Sequence, residues 1–278
     1  KGIAVISFGG YAYFTTTNGL AVVDISNPSN AQTVDFVSGT SNLNLENLDT
    51  DGDILAVCSH TDGVKLFSIT NPINPQLIST ISTQNAWAVK IVGDYLYIAD
   101  EANLLTVNIE NLYDPYIVSS INTGSAIKDV DHDNGIIYLA LGSDGVSAYS
   151  LEEPTYPNLI DIFNTPGLAN RIKISNNFIA VSDWDSIQIL KLEEDVLRLV
   201  GYKSNGKRTM AVNAKNNYVY SIEWGSVQVY EYGEINGPDI DLSTLELNYP
   251  YVDNGTNYSM TLEVINNGQE TLTVYDNY

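Results

Sequence analysis

The sequence predicts an all-β protein made of six small antiparallel sheets in series, and three observations predict it. A unit of strand, turn, strand, turn, strand, loop and strand recurs about every 41 residues, the kind of period that marks stacked repeats. The third strand of each unit opens at Leu20, Val64, Leu104, Val146, Ile187 and Val227, with steps of 44, 40, 42, 41 and 40 residues. The runs between the turns are short, rich in Val, Ile and Tyr, and apolar at odd and even positions alike. That pattern suits strands covered on both faces.

The third unit shows each element in order. AVKIV (88–92) is the first strand, Gly93-Asp94 a turn, and YLYIAD (95–100) the second strand. A short Glu-Ala-Asn turn leads to LLTVNIE (104–110), then NLYDP forms a loop into YIVSSI (116–121). The second strand recurs at 11–16, 54–59, 137–142, 178–183 and 218–223, and the third at 20–26, 64–70, 146–152, 187–193 and 227–232. The first turns use Gly9-Gly10, Asp51-Gly52, Asn134-Gly135, Asn176-Asn177 and Asn216-Asn217, pairs that tolerate the positive φ of tight hairpins. The units lie near 3–37, 45–81, 87–121, 126–163, 169–202 and 209–245. Sheets that cannot bury their faces alone must stack, and a closed ring hides their edges. The expected fold is a six-bladed β-propeller of four-stranded antiparallel blades over 1–237, followed by a short β segment at 238–278.

Composition bounds the function. The 34 acidic and 12 basic residues give a net charge of −22, which repels phosphate backbones and anionic lipid. Nucleic-acid partners are excluded on that ground. No apolar run approaches the roughly 20 residues needed to cross a bilayer, so no direct membrane insertion is expected. The chain starts at Lys1, which predicts a processed or truncated sequence. Cys58, the one cysteine, lies in the apolar run ILAVCS and reads as a buried, inert thiol.

The third-to-fourth-strand segments carry a resemblance. They read GLAVVDISNPSN, GVKLFSITNPINP and GVSAYSLEEPTYP in units one, two and four. This resembles the LVIVD-repeat family of propellers, named for its third strand, with an Asp/Asn-Pro-x-x-Pro loop behind it. The resemblance covers residues 3 to 245, with units three, five and six drifted from the pattern. It implies the propeller fold and a secreted or surface-exposed setting, and no particular activity. The stretch PDIDLSTLELNYPYVDNGTNYSMTLEVINNGQETLTV resembles the opening of an immunoglobulin-like domain of the choice-of-anchor type. Residues 238–278 are then a partial Ig-like sandwich, or alternatively strands docked on the propeller, with 240–245 able to serve as the last outer strand. The resemblance implies anchoring through a C-terminal region beyond this sequence.

Propeller topology sorts residues between two faces. Trp87 falls at the end of a blade-to-blade connection, while Trp184 and Trp224 fall in turns between second and third strands, so all three map to one face. Asp100, Asp183, Asp185, Glu223, His60 and Arg171 share it. Aromatic platforms beside carboxylates suit a sugar or a basic protein. The competing reading is that the acids are turn chemistry and the tryptophans wedge between blades. Asp49, Asp51 and Asp53, and likewise Asp129, Asp131 and Asp133, form oxygen-rich runs of the sort that bind Ca²⁺. Both runs are expected on first-turn hairpins, where a plain turn accounts for them, so no metal and no cofactor is expected.

No nucleophile elbow, zinc-protease helix or P-loop is present. The expected function is a non-catalytic extracellular or cell-surface scaffold that binds a protein or glycan. The alternatives are a hydrolase or lactonase-type propeller with carboxylates around a central channel, and a structural spacer of a surface layer.

Overall fold

The computed structural model describes residues 2–204, 206–232, 240–242 and 264–266. It is a six-bladed β-propeller of antiparallel blades. The first blade is β1 (Gly2–Phe8), β2 (Tyr11–Thr16), β3 (Gly19–Asp24) and β4 (Gln32–Phe36). The second is β5 (Leu48–Thr50), β6 (Ile54–Cys58), β7 (Val64–Ser68) and β8 (Gln76–Ile81). The third is β9 (Ala86–Val92), β10 (Tyr95–Asp100), β11 (Asn103–Asn108) and β12 (Tyr116–Asn122). The fourth is β13 (Asp129–Asp133), β14 (Ile136–Ala140), β15 (Val146–Ser150) and β16 (Asn158–Phe163). The fifth is β17 (Ala169–Ser175), β18 (Phe178–Asp183), β19 (Ile187–Glu193) and β20 (Val196–Lys203). The sixth shows three strands among the described residues: β21 (Thr209–Lys215), β22 (Tyr218–Glu223) and β23 (Ser226–Glu231).

The chain divides into two compact units, Lys1–Tyr230 and Glu231–Tyr278. In the second, β24 (Ile240–Leu242) pairs antiparallel with β25 (Val264–Asn266). The other residues on which the Ig-like resemblance rests lie outside the described residues.

Each of the four interfaces from blade 1 through blade 5 is its own core. Tyr13, Leu20 and Val22 of blade 1 pack with Leu55, Val57 and Phe67 of blade 2. Ala56, Val64 and Leu66, on the opposite face of blade 2, pack with Val89, Leu96 and Ile98 of blade 3. The same scheme joins blades 3 and 4, and blades 4 and 5. Strand alternation thus sends odd residues to one neighbour and even residues to the other, which is why the sequence is apolar at both. Two loop latches reinforce the stack. Tyr13 Oη donates to the carbonyl of Pro72, and Tyr97 Oη to that of Pro154. Each tyrosine of a second strand thereby reaches the Pro loop of the next blade.

The end blades depart from the repeat. Val5 occupies the register of Val89, yet Val5 is 56% exposed and Val89 only 2%. Val227, expected to anchor the sixth unit as Val64 and Val146 anchor theirs, is 68% exposed. No described blade covers those faces, so the apolar pattern persists there without burial.

Turn chemistry follows the sequence. Gly9-Gly10, Asn134-Gly135 and Asn176-Asn177 all adopt positive φ at both positions. Gly63 and Gly145 close later turns, where an added Cβ would lie 2.1 Å from the carbonyl oxygens of Ile81 and Phe163 respectively. Cys58 is buried, and burial pushes its thiol pKa well up.

Candidate functional site

The inner strands bring charge to the axis. Asp49, Lys90, Asp131 and Lys173 hold equivalent positions in β5, β9, β13 and β17, each opposite the third residue of its second strand. Lys90 Nζ lies 3.4 Å from Asp49 Oδ1 and 3.1 Å from Asp131 Oδ1. Lys173 Nζ lies 3.0 Å from Asp131 Oδ2. The result is an arc of alternating sign across four blades. Each carboxylate also grips the next blade's backbone: Asp49 Oδ2 accepts from Ile91 N and Asp131 Oδ2 from Ile174 N, both at 2.9 Å. Asp129 Oδ2 accepts from Ile172 N at 3.1 Å, and its Oδ1 from Asn47 Nδ2 at 3.2 Å.

Burial and pairing compete in this arc. Burial works against the Asp131 carboxylate, but Lys173 and Lys90 outweigh it and hold its pKa below the ordinary value. Burial prevails at Asp49 and Asp129 and raises their pKa, with Lys90 and Arg171 opposing it. Lys90 is disfavoured by burial, yet Asp131 and Asp49 raise its pKa.

Above the arc, a backbone irregularity aims a second ring of side chains at the channel mouth. The pairing of first and second strands skips one residue at Trp87, Asn170 and Met210. Glu46 and Lys128 hold the same place in blades 2 and 4, where Glu46 N donates to Cys58 O and Lys128 N to Ala140 O. A bulge of this kind re-aims the extra residue. Arg171 Nη2 reaches Glu46 Oε1 at 2.8 Å, and its Nη1 donates to the carbonyls of Lys128 and Asn170 at 3.0 and 3.2 Å. His60 lies between Glu46, 3.6 Å from its Nε2, and Asn85, 2.9 Å from its Nδ1. Its ring meets Trp87 edge-on at 4.7 Å, and Lys128 Nζ stands 5.1 Å from the centroid of Trp87.

Among the residues singled out in the sequence, His60, Trp87 and Arg171 therefore meet at one mouth, joined by Glu46 and Lys128. Trp184 and Trp224 form a second group. Arg208 stacks 4.8 Å from Trp184, and the Arg208 carbonyl accepts from Trp224 N at 2.9 Å. Trp224 is the most exposed of the three tryptophans. Asp100, Asp183 and Glu223 are buried and turned to loops or strand partners. Asp100 accepts from Gln84 N and Asn85 N; Asp183 accepts from Thr165 Oγ1 and Gly167 N. Glu223 accepts from Tyr230 Oη. Asp185 is exposed beside them.

The two aspartate runs have different fates. Asp51 accepts from Asp53 N and Ile54 N within a tight turn, and Asp53 is exposed. The expectation of a hairpin at Asp129–Asp133 is corrected: these residues form the inner strand β13 itself. Their alternation places Asp129 and Asp131 toward the axis, where Arg171 and the lysines meet them. Asp133 accepts from Asn134 Nδ2. No group of three or more His, Cys, Asp or Glu side chains suited to a metal ion occurs among the described residues.

The axial arc and the mouth ring were not anticipated. Their signal was present, because 49, 90, 131 and 173, and 46, 87, 128 and 170, each step by one repeat length.

The comparisons agree with this architecture. A family model described as the LVIVD repeat matches residues 2–38 and 84–123. No curated protein matches the sequence. The fold is similar to that of a putative 6-phosphogluconolactonase from Bacteroides uniformis, at 14% identity and a TM-score of 0.70, covering 81% of this chain and 79% of that one. It is also similar to the computationally designed Ika8 protein, at 13% identity and a TM-score of 0.65, covering 83% of this chain and 70% of that one. The Swd1 β-propeller domain of Myceliophteria thermophila is a third, at 11% identity and a TM-score of 0.61, with 81% of each chain covered. At these identities the likeness speaks to the fold alone.

Proposed function

We propose that this protein is a non-catalytic binding scaffold, displayed outside the cell or at its surface, that meets a protein or carbohydrate ligand with the face bearing Trp87, Trp184 and Trp224. The observation that carries this reading is the commitment of the axial charges to one another. Asp49, Asp129 and Asp131 are each held by cations or backbone N–H groups. A hydrolase of the lactonase kind needs a carboxylate poised to move a proton or hold a metal. What the mouth and the neighbouring loops present outward instead is aromatic surface beside cations, the stuff of recognition. On the same reading, residues 238–278 begin an Ig-like domain that leads to an anchor, as the sequence resemblance implies.

The test is a glycan and protein array probed with wild type, Trp184→Ala and Trp224→Ala. Loss of a shared hit in both variants supports the scaffold. Hits unchanged in both remove those aromatics from the site, and no hit at all favours a surface-layer spacer. A bound Ca²⁺ ion whose chelation lowers Tm sharply would favour the enzyme.

A further inference from the structure

Blade 5 departs from its neighbours at the end of the propeller opposite the tryptophans. In blades 1 to 4 a longer loop joins the third and fourth strands, whereas in blade 5 only Glu194 and Asp195 do. A latch is lost with that loop. Tyr138 holds in blade 4 the register of Tyr97 in blade 3, yet its hydroxyl has no hydrogen-bond partner among the described residues. At the same end blades 4 and 5 stand apart around a cleft of about 640 Å³, a size that suits a ligand site. Ile136, Ser150 and Asn158 stand opposite one another across β14, β15 and β16, with Ile160 further along β16. Glu152 enters from the loop of blade 4 and Asp195 from the hairpin of blade 5. Both acids and Asn158 are exposed, and Ile136 and Ile160 are half-buried. Other acids nearby are engaged: Glu193 by Lys191, Asp133 by Asn134, Glu153 by Thr155, and Asp161 by the N–H of Leu197. The carboxylates of Glu152 and Asp195 have no partner among the described residues. Glu194 and Asp195 both adopt positive φ, where Asn or Gly is the less strained choice, so the turn itself does not call for acids.

We propose that this cleft docks a basic, extended segment of a protein partner. A lysine or arginine side chain lays its stem on Ile136 and Ile160 and brings its head to Glu152 and Asp195. Such side chains join an apolar stem to a charged head, and the cleft joins an apolar floor to unengaged carboxylates. The net charge of −22 adds a long-range attraction for a cationic partner. Apolar surface continues at Leu159 and Val196, 53% and 41% exposed, so the occupant is a chain and not a lone amine. This surface is separate from the Trp-bearing face, and it stands or falls independently of that reading.

The test titrates the full chain into a fluorescein-labelled octapeptide alternating arginine with valine, read by anisotropy. Counterparts replace arginine by glutamate or valine by serine, and arginine amide and spermidine serve as competitors. The expected result is binding at least about tenfold tighter than that of either counterpart peptide or of either small amine. The double variant Glu152→Gln, Asp195→Asn should weaken it by at least about tenfold with Tm unchanged, since Asn suits the positive φ of its position. Asn158→Trp, at an exposed position, should block the cleft to a similar extent. Glu110→Gln with Asp114→Asn removes the same charge from the exposed loop of blade 3 and should change affinity by less than about twofold. An equal loss in that control would mean attraction to the acidic surface at large and would overturn the proposal. So would equal binding of the serine peptide, displacement by arginine amide or spermidine at the peptide's own concentration, no binding at about 1 mM, or indifference to both cleft variants. Trp184→Ala and Trp224→Ala should leave peptide binding intact, which keeps this outcome distinct from that of the array.

Discussion

Lys90 and Asp131 meet 3.1 Å apart, from the inner strands of adjacent blades, and neither has the other to itself. Lys90 is shared with Asp49, and Asp131 with Lys173. Removing one member therefore strands another in a buried setting. Lys90→Met should destabilise the propeller by about 3 kcal/mol in urea unfolding, because Asp49 loses its nearest cation. Adding Asp49→Leu should return part of that loss, since an apolar pair of similar size can replace a buried ion pair. A double variant less stable than the single one would refute the shared-charge account.

Val5 and Val89 make a second contrast, because they hold the same place in the repeat. Val89→Asp buries an unpaired carboxylate in the core between blades 2 and 3 and should cost more than about 4 kcal/mol or prevent folding. Val5→Asp, on an uncovered face, should stay within about 0.5 kcal/mol of wild type. Comparable losses at both would mean that the face of blade 1 is covered in solution.

The latch from Tyr97 to Pro154 is a third point of test. Burial raises the Tyr97 pKa, so the hydroxyl stays protonated and donates across the neutral range. Tyr97→Phe keeps the ring and removes the donor, and should cost about 1 kcal/mol. Tyr220→Phe should cost close to nothing, because Tyr220 sits at the same register in the sixth blade but is 40% exposed where Tyr97 is fully buried. Chemical denaturation of the two variants side by side decides it.

A pH dependence follows from His132 in β13. Burial, helped by Lys90, lowers its pKa below the ordinary 6.5. The unfolded chain thus binds the proton more readily than the folded one. Its contribution to stability is present above the ordinary value and is lost as pH falls through it toward the folded pKa. Asp49 and Asp129, whose pKa values are raised, oppose this trend at lower pH, so the comparison must be against a variant. His132→Gln should flatten the fall in urea midpoint between about pH 7 and about pH 5. Parallel curves for the two proteins would exclude His132 as the source.

Much of the fold was legible because hairpin turns and strand period are local properties. Gly9-Gly10, Asn134-Gly135 and Asn176-Asn177 state their φ values in their residue types. The strand anchors repeat because each interface repeats. The sixth anchor, Val227, misled because an apolar residue records a face that can be covered, and not whether a neighbour covers it. The site was half legible. Aromatic residues drew attention to the face on which His60, Trp87 and Arg171 meet. The partners that organise them, Glu46 and Lys128, sit at bulges, and a bulge is set by pairing across strands rather than by composition. Asp129 and Asp131 read as a calcium run because alternation along a strand puts them on one side. Only the neighbouring blades reveal that Lys90, Lys173 and Arg171 arrive there too.

The alternating arc also constrains how such a chain can change its number of repeats. Blades 2 and 4 bring a carboxylate to the axis and blades 3 and 5 an ammonium. Deleting blade 3 or blade 4, or duplicating any one of the four, sets two like charges side by side in a confined space, whereas moving an adjacent couple preserves the order. Genetic rearrangement within this stretch is then tolerated two repeats at a time, a parity rule written in the charges of the hub and not in the strands that form the blades.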